Sequence, residues 1–455
     1  MKRERRTPWA WIPTLYFAEG LPYVAVMTIA VIMYKRLGLS NTDIALYTSW
    51  LYFPWVIKPL WSPFVDLIKT KRFWIVSMQG LIAAAFAGIA FFIPADFYVR
   101  ATLACFWLMA FSSATHDIAA DGFYMLGLTT GEQALFVGIR NTFYRLANIF
   151  GQGILVMIAG LIEQGVIFPS LRGNIPLAWS LTFYLMAGLF ILFTLYHFLI
   201  LPYPAQDKPR KEVNASQLFS DFGKTFATFF RKRDLGLMFF FLLTYRLGES
   251  QLAKIAAPFL LDSVDKGGMA LNTATVGMIY GTIGVIALLV GGIISGYLVS
   301  RDGYRKWLIP MALAINIPDL LYVLLAYLQP LYADQLQSMP TWTVGAMHMD
   351  RQMIWNIIVS VCVAIEQLGY GFGFTAYMMY LIYIADGEYK TAHYAIATGF
   401  MALGMMLPGI PAGKIQELLG YSHFFIWVCV CTIPGIIAAN IIRHKMEPDF
   451  GKRTK

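Results

Sequence analysis

Residues 112–152, SSATHDIAADGFYMLGLTTGEQALFVGIRNTFYRLANIFGQ, decide how the rest of this chain is read. The flanks are apolar enough to lie in a bilayer, yet the stretch carries Asp117, Asp121, Arg140 and Arg145. Asp117 and Asp121 are four apart, so on a helix they share one face, one turn from each other. Beyond the Gly131-Glu132 break, Asn141, Arg145, Asn148 and Gln152 fall on a second helical stripe. A charge at the centre of a membrane helix costs roughly 2.5–3.5 kcal/mol on insertion scales, so such groups face protein or a watery cavity. Two helices that each turn a polar stripe inward imply a solute pathway.

Composition points the same way. Of 455 residues, 58% are hydrophobic and 13% charged. A soluble chain carries about 25% charged residues, so an ordinary wetted surface is excluded and an integral membrane protein is expected. The net charge of +9 reads as an orientation signal, not as a nucleic-acid footprint. The four cysteines lie in apolar runs, without metal-ligand spacing or a disulfide framework. MKRERR leads into an apolar run from Trp9 to Met33 that is too long for a signal-peptide core. A retained first helix is expected there.

A span needs about 20 mainly apolar residues. On that ruler there are twelve, at 10–34, 44–64, 73–93, 99–127, 137–162, 177–201, 236–261, 273–299, 306–329, 353–384, 392–416 and 422–442. The fourth and tenth are long enough to continue beyond a membrane. With the N-terminus inside, the outer loops hold only Lys35, Arg36, Arg100, Arg172, Lys266, Arg351 and Lys414. The positive-inside rule therefore places both termini in the cytoplasm. The polar interval 202–235 divides the spans six and six. Its start is linker and its later part is a candidate amphipathic surface helix. The expected domains are 1–201, an N-terminal six-helix bundle; 202–235, a cytoplasmic linker; and 236–455, a C-terminal bundle with a cytoplasmic tail.

The halves resemble each other. SPFVDLIKTKRF after the second span and GYLVSRDGYRKW after the eighth are short basic turns, holding Asp66, and Arg301, Asp302 and Arg305. Gly131-Glu132 and Gly387-Glu388 recur after the fourth and tenth. This six-plus-six parallel repeat is the pattern of the all-α major facilitator fold, with two pseudo-symmetric six-helix bundles.

The candidate site residues follow from polarity inside the spans. Tyr16 and Glu19, beside Gly20 and Pro22, form a possible wall of the pathway. Asp117 and Asp121 are candidates for a gate, paired with Arg140 or Arg145, or for proton coupling through a carboxyl held in a dry site. Arg145 offers a planar five-donor fork suited to carboxylate or phosphate, and Asn141, Asn148 and Gln152 suit hydroxyl and acetamido groups. In the second half, Arg246, Glu249 and Lys254 share the seventh span, and Glu366, Gln367 and Tyr370 the tenth. Lys58 is expected to snorkel, and His116 and His393 to tune local charge only. No Walker loop, no nucleophile with a base and no metal-ligand cluster is legible. An enzyme or an ATP-driven pump is therefore not expected, and no cofactor is needed beyond a proton gradient.

IPTLYFAEGLPYVAV, FPWVIKPLWSPFVDLI, SATHDIAADGFYMLGL and GIRNTFYRLANIFGQG together resemble the muropeptide permease (AmpG) family, which shares ancestry with the acetyl-coenzyme A transporters. The motifs run from Ile12 to Gly153. The resemblance implies proton-driven import of N-acetylglucosaminyl-1,6-anhydromuramic acid or muropeptides across a bacterial inner membrane for cell-wall recycling. On it, Asp117 and Asp121 match the family's paired aspartates and Arg145 its arginine after the loop. The chain departs in having twelve spans where family members often have two more, and Thr-His where Ser-Gln is usual before the first aspartate. A monomer in the bilayer acting on a small solute is expected. A symporter for another sugar or oligosaccharide and a drug or metabolite exporter are the alternatives.

Overall fold

The computed structural model describes residues 6–208, 215–335, 342–344, 347–349, 351–386 and 390–452. Nearly all of them are helical. Eight helices among the described residues are long and apolar enough to cross a membrane unaided: Pro8–Arg36, Lys71–Phe92, Gly138–Glu163, Ile175–Ile200, Thr273–Asp302, Tyr304–Pro330, Gln352–Ala385 and Ala412–Lys445. They correspond to the first, third, fifth, sixth, eighth, ninth, tenth and twelfth expected spans.

The other four expected spans are helical too, and each carries the polarity or the break that sets it apart. The second is split by a turn at Leu51–Tyr52 into Asn41–Trp50 and Phe53–Ile68, and the seventh by a turn at Tyr245–Arg246 into Leu235–Thr244 and Leu247–Leu261. The fourth, Tyr98–Gly127, carries Asp117 and Asp121, and the eleventh, Lys390–Gly409, is rich in small residues. At about 1.5 Å per residue, the 30 residues of Tyr98–Gly127 and the 35 of Arg351–Ala385 exceed the roughly 30 Å hydrocarbon core.

Boundaries follow local chemistry. Thr129 and Glu132 close a reciprocal capping box, so Gly131-Glu132 is the start of the fifth helix and not a break before it. Asn174 caps Ile175–Ile200, with a proline in the first turn. The eleventh span ends at Gly409, ahead of Pro411 and short of the expected 416. Residues 412–416 instead open a helix that kinks at Gly420, where φ is +72°. The expected amphipathic segment of the linker is the helix Ala215–Phe230. In the long loop before the tenth span, Trp342–Val344 pairs antiparallel with Met347–Met349, a strand pair that sequence reading did not anticipate.

Tertiary contacts group the chain into two compact units, Met1–Met33 with Leu51–Phe230, and Tyr34–Trp50 with Arg231–Lys455. This differs from the expected division at 201 and 235. The reason for the assignment of 34–50 is specific. Lys35 pairs with Asp262 at 2.7 Å, Asn41 donates to Gln416 at 2.6 Å and to Tyr421 at 2.9 Å, and Thr42 donates to Glu417. Gly413 permits this, since a Cβ there would sit 1.9 Å from the carbonyl of Asn41.

Within the second unit, the tenth span is the packing axis. It lies against Val285–Asp302 and Tyr304–Asn316, and its Gly-x-Gly-x-Gly run makes this approach possible. A Cβ at Gly369 would meet the Ala314 carbonyl at 2.1 Å, and one at Gly371 the Leu288 carbonyl at 1.9 Å. At the end of that unit Lys445 donates to Asp234 at 2.6 Å, and this bond holds the Asp234 carboxyl below its ordinary range. In the first unit, Trp11, Ile12, Phe123 and Tyr124 form the centre of a fully buried cluster where the first, third and fourth helices meet.

Close approach at Gly371 is therefore expected to be costly to disturb. Gly371→Ala should lower stability by about 1–3 kcal/mol, the usual range for overpacking. Gly296→Ala, with nothing within 4 Å of the added methyl, should change it by less than about 0.5 kcal/mol. Thermal unfolding of both variants in one detergent checks the contrast.

Candidate functional site

In the first unit the polar residues of four helices converge. Tyr16 and Glu19 come from Ile12–Val24, Trp55 and Lys58 from Phe53–Ile68, Asp117 and Asp121 from Tyr98–Gly127, and Arg140 from Thr130–Ile149. Glycine sets the spacing of the first and fifth helices. A Cβ on Gly20 would lie 2.8 Å from Ala147, and one on Gly151 would lie 2.7 Å from Val24. Both helices loosen into π-helical turns nearby, at Ala25–Ile29 and Phe150–Leu155. Such turns are frequent at functional sites.

The two aspartates do share a helix, but each has its own partners. Asp121 accepts from Arg140 Nη1 at 3.0 Å and from the Tyr16 hydroxyl at 3.3 Å, and Arg140 also donates to Tyr16 at 3.1 Å. The guanidinium carbon sits 5.0 Å from the ring centres of both Tyr16 and Tyr124. Asp117 accepts from Trp55 Nε1 at 3.2 Å and from Lys58 at 3.4 Å. Lys58 therefore turns to Asp117 instead of snorkelling. Of the two arginines weighed as partners for the aspartates, Arg140 makes the pair. Arg145 and Asn141 are exposed on the same helix, Asn148 and Gln152 half-buried beyond them, and the Asn148 carbonyl oxygen has no hydrogen-bond partner.

Glu19 is buried, and its Oε2 has no hydrogen-bond partner. Sequence reading found no metal-ligand cluster, yet one oxygen of Glu19, one of Asp117 and a ring nitrogen of His116 lie within 4.8 Å of one another. His116 is wholly buried and bonded to Gln79, which in turn bonds His197. Gln79 and His197 are the residues that sequence reading missed, and it gave His116 only a charge-tuning role. Gln79 and His197 each interrupt an apolar span, which was a legible signal. Their meeting with His116 across three helices was not.

In the second unit Arg246 stands at the break of the seventh span. Its Nε and Nη2 donate to the two oxygens of Glu249 at 2.6 and 3.0 Å, and Nη2 also donates to the Tyr370 hydroxyl at 2.8 Å. The Phe374 ring lies 4.8 Å from the guanidinium carbon. Gln367 donates to Glu366 at 2.9 Å, and Lys254 donates to the Thr48 hydroxyl at 3.1 Å. Asp319, not singled out from sequence, is 1% exposed, with Oδ2 lacking a hydrogen-bond partner. The turn residues behave as an ordinary ionic knot. Asp302 accepts from Arg301 at 2.9 Å, from Lys306 at 3.2 Å and from Trp307 at 3.0 Å. Arg305 is half-buried in the same turn, and the side chain of Asp66 lies outside the described residues.

Long apolar helices that bury carboxylates, guanidinium groups and amides against one another define a membrane transporter, not an enzyme. The chain belongs to the Major Facilitator Superfamily, whose family model matches residues 14–413. Among curated proteins it is similar to the putative transporter AmpG 4 of Rickettsia conorii, at 22% identity over 95% of this chain and 96% of that protein. The anhydromuropeptide permease of Escherichia coli K12 is 23% identical over 95% of this chain and 79% of its own length. Among solved structures, a D-xylose-proton symporter superposes with a TM-score of 0.66 at 13% identity, covering 98% of this chain and 99% of its own. The nucleoside transporter NupG superposes at 0.65 with 15% identity, covering 96% and 98%.

The two arginine pairs differ in exposure, and this sets what their loss should do. The side chains of Arg246 and Glu249 are 9% and 11% exposed, whereas Asp121 is 46% exposed. Glu249→Gln should destabilise by about 3 kcal/mol or more, because it strands a buried guanidinium charge. Asp121→Asn should cost less than about 1 kcal/mol. Unfolding transitions in matched detergent measure both, and equal losses would contradict the distinction.

Proposed function

We propose that this transporter imports an amino-sugar solute in symport with protons, N-acetylglucosaminyl-1,6-anhydromuramic acid or the muropeptides that contain it. The observation that carries the reading is the first-unit site itself. Two carboxylates one turn apart have separate cationic partners, and a third, Glu19, is buried beside them with an oxygen that has none. Carboxylates placed so are suited to take up and release protons as access alternates. Similarity along nearly the whole chain to proteins named permease and AmpG supports the solute class.

The roles follow. Arg145 is suited to a lactyl carboxylate, and Asn141, Asn148 and Gln152 to acetamido groups and hydroxyls. Tyr16, Asp121 and Arg140 form a gating and coupling triad, with Asp117 and Glu19 beside it. Arg246, Glu249, Glu366, Gln367 and Tyr370 are the second-unit set for solute contact. The Lys and Arg distribution supports both termini in the cytoplasm, and the muropeptide reading implies a bacterial inner membrane. The protein works as a monomer, with no cofactor beyond the proton gradient.

The test is uptake of labelled N-acetylglucosaminyl-anhydromuramic acid into liposomes that hold the purified protein. An inward proton gradient should raise uptake several-fold over no gradient. Asp121→Asn and Arg145→Ala should lose at least about tenfold of the driven uptake while their unfolding temperatures stay near wild type. Stable protein that takes up none of this solute would rule out the muropeptide reading.

A further inference from the structure

We propose that His116 is a proton-positioning residue for Glu19 and Asp117, and that the chain from Gln79 through His197 to Thr14 makes their site accept a proton in preference to a metal cation. This deepens the proton-coupled reading above and rests on it.

By distance alone the group has the look of an incomplete cation site. Glu19 is 8% exposed and His116 0%, and Glu19 Oε2 and His116 Nδ1 are both without hydrogen-bond partners. The bonds behind His116 decide otherwise. Gln79 Nε2 lies 3.0 Å from His116 Nε2. An amide nitrogen only donates, so that ring nitrogen accepts, and the neutral ring carries its proton on Nδ1. Gln79 Oε1 lies 2.9 Å from His197 Nδ1, which donates to it. His197 Nε2 then accepts from the Thr14 hydroxyl at 3.0 Å. A ring nitrogen of His116 lies within 4.8 Å of oxygens of Glu19 and Asp117, and the chain of donors ends on the His116 Nδ1–H, which has no hydrogen-bond partner. A metal ion would need a lone pair on that atom.

Charge agrees. Glu19 and Asp117 together bring two negative charges, and Lys58 supplies one positive charge at 3.4 Å from Asp117. Asp121 is paired with Arg140. One positive charge is missing, and one proton supplies it. The other titratable groups around the site are Tyr16 and Tyr23 of the first span and Tyr144 of the fifth. Loading takes a proton from water and forms an O–H bond on the Glu19 carboxyl. Release breaks that bond and returns the proton to water, while Gln79 keeps the His116 ring oriented from behind.

The experiment is infrared titration of the protonated-carboxyl stretch in the solute-free, full-length protein in liposomes, in potassium, sodium and lithium salts. Wild type should show a band that titrates with pH, is lost in Glu19→Gln, and is indifferent to the cation. His116→Gln should move its midpoint by about one pH unit or more, a tenfold change in proton affinity. Gln79→Glu replaces the donor at Nε2 by an acceptor, turns the Nδ1 lone pair toward the carboxylates and should make the band sensitive to sodium or lithium. This nearly isosteric variant carries the test if His116→Gln does not fold. A band absent in wild type, kept in Glu19→Gln, displaced by sodium in wild type, or unmoved in both His116→Gln and Gln79→Glu would overturn the proposal. A band that behaves as expected in a protein whose uptake ignores the proton gradient would keep the proton site and reject the transport reading instead.

Discussion

An ionised side chain carried into hydrocarbon must find its counter-charge within the protein, and the packing of this chain can be read from that constraint. Arg246 meets both oxygens of Glu249 and a tyrosine hydroxyl. Arg140 meets Asp121, and Lys58 meets Asp117. The first of these pairs joins the turn at Arg246 to the helix that follows it. The other two need neighbouring helices to be in register, so neutralising the charges and assembling the first unit are one event. The glycines at 20 and 151 serve it by letting the first helix close on the fifth.

The same constraint explains why the fourth and seventh expected spans stand apart. A helix that is apolar all round is recognised by its lipid-facing surface alone, as in Ile175–Ile200. The fourth and seventh instead carry the charges of the two units, and the seventh also carries the turn that places Arg246. They depend on their neighbours to be stable at membrane depth.

Much of this was legible without coordinates. The Asp117–Asp121 spacing, the inward polarity of the fourth and fifth spans, the Arg246–Glu249 pair and the helix in the linker are all local patterns, and periodicity reports local patterns well. What was not legible is long-range. Nothing in the neighbourhood of Lys58 says that it turns toward Asp117 and away from the interface. Arg140 and Arg145 both lie within reach in sequence, and only the angle between helices selects Arg140. His116 read as a tuner of local charge because its partner Gln79 is 37 residues away and the next link, Gln79 to His197, spans 118. The segment 34–50 joins the second unit through Asn41 and Gly413, a contact across more than 370 residues that no local rule anticipates.

The contrast between the two charge pairs bears on where coupling resides. Arg246 and Glu249 are three residues apart on one span, and the guanidinium is also bonded to Tyr370 of the tenth span. A pair across helices, such as Asp121 with Arg140 or Asp117 with Lys58, is made or broken by a shift between those helices. If solute and ion share one conformational change, the ion must bind where that change alters the neutralisation of a carboxylate. The first unit has two such pairs and a third carboxylate, Glu19, close to a histidine that Gln79 holds from behind. In the second unit the Arg246 charge is already met by both oxygens of Glu249. A shift between helices therefore bears on the carboxylate pairs of the first unit.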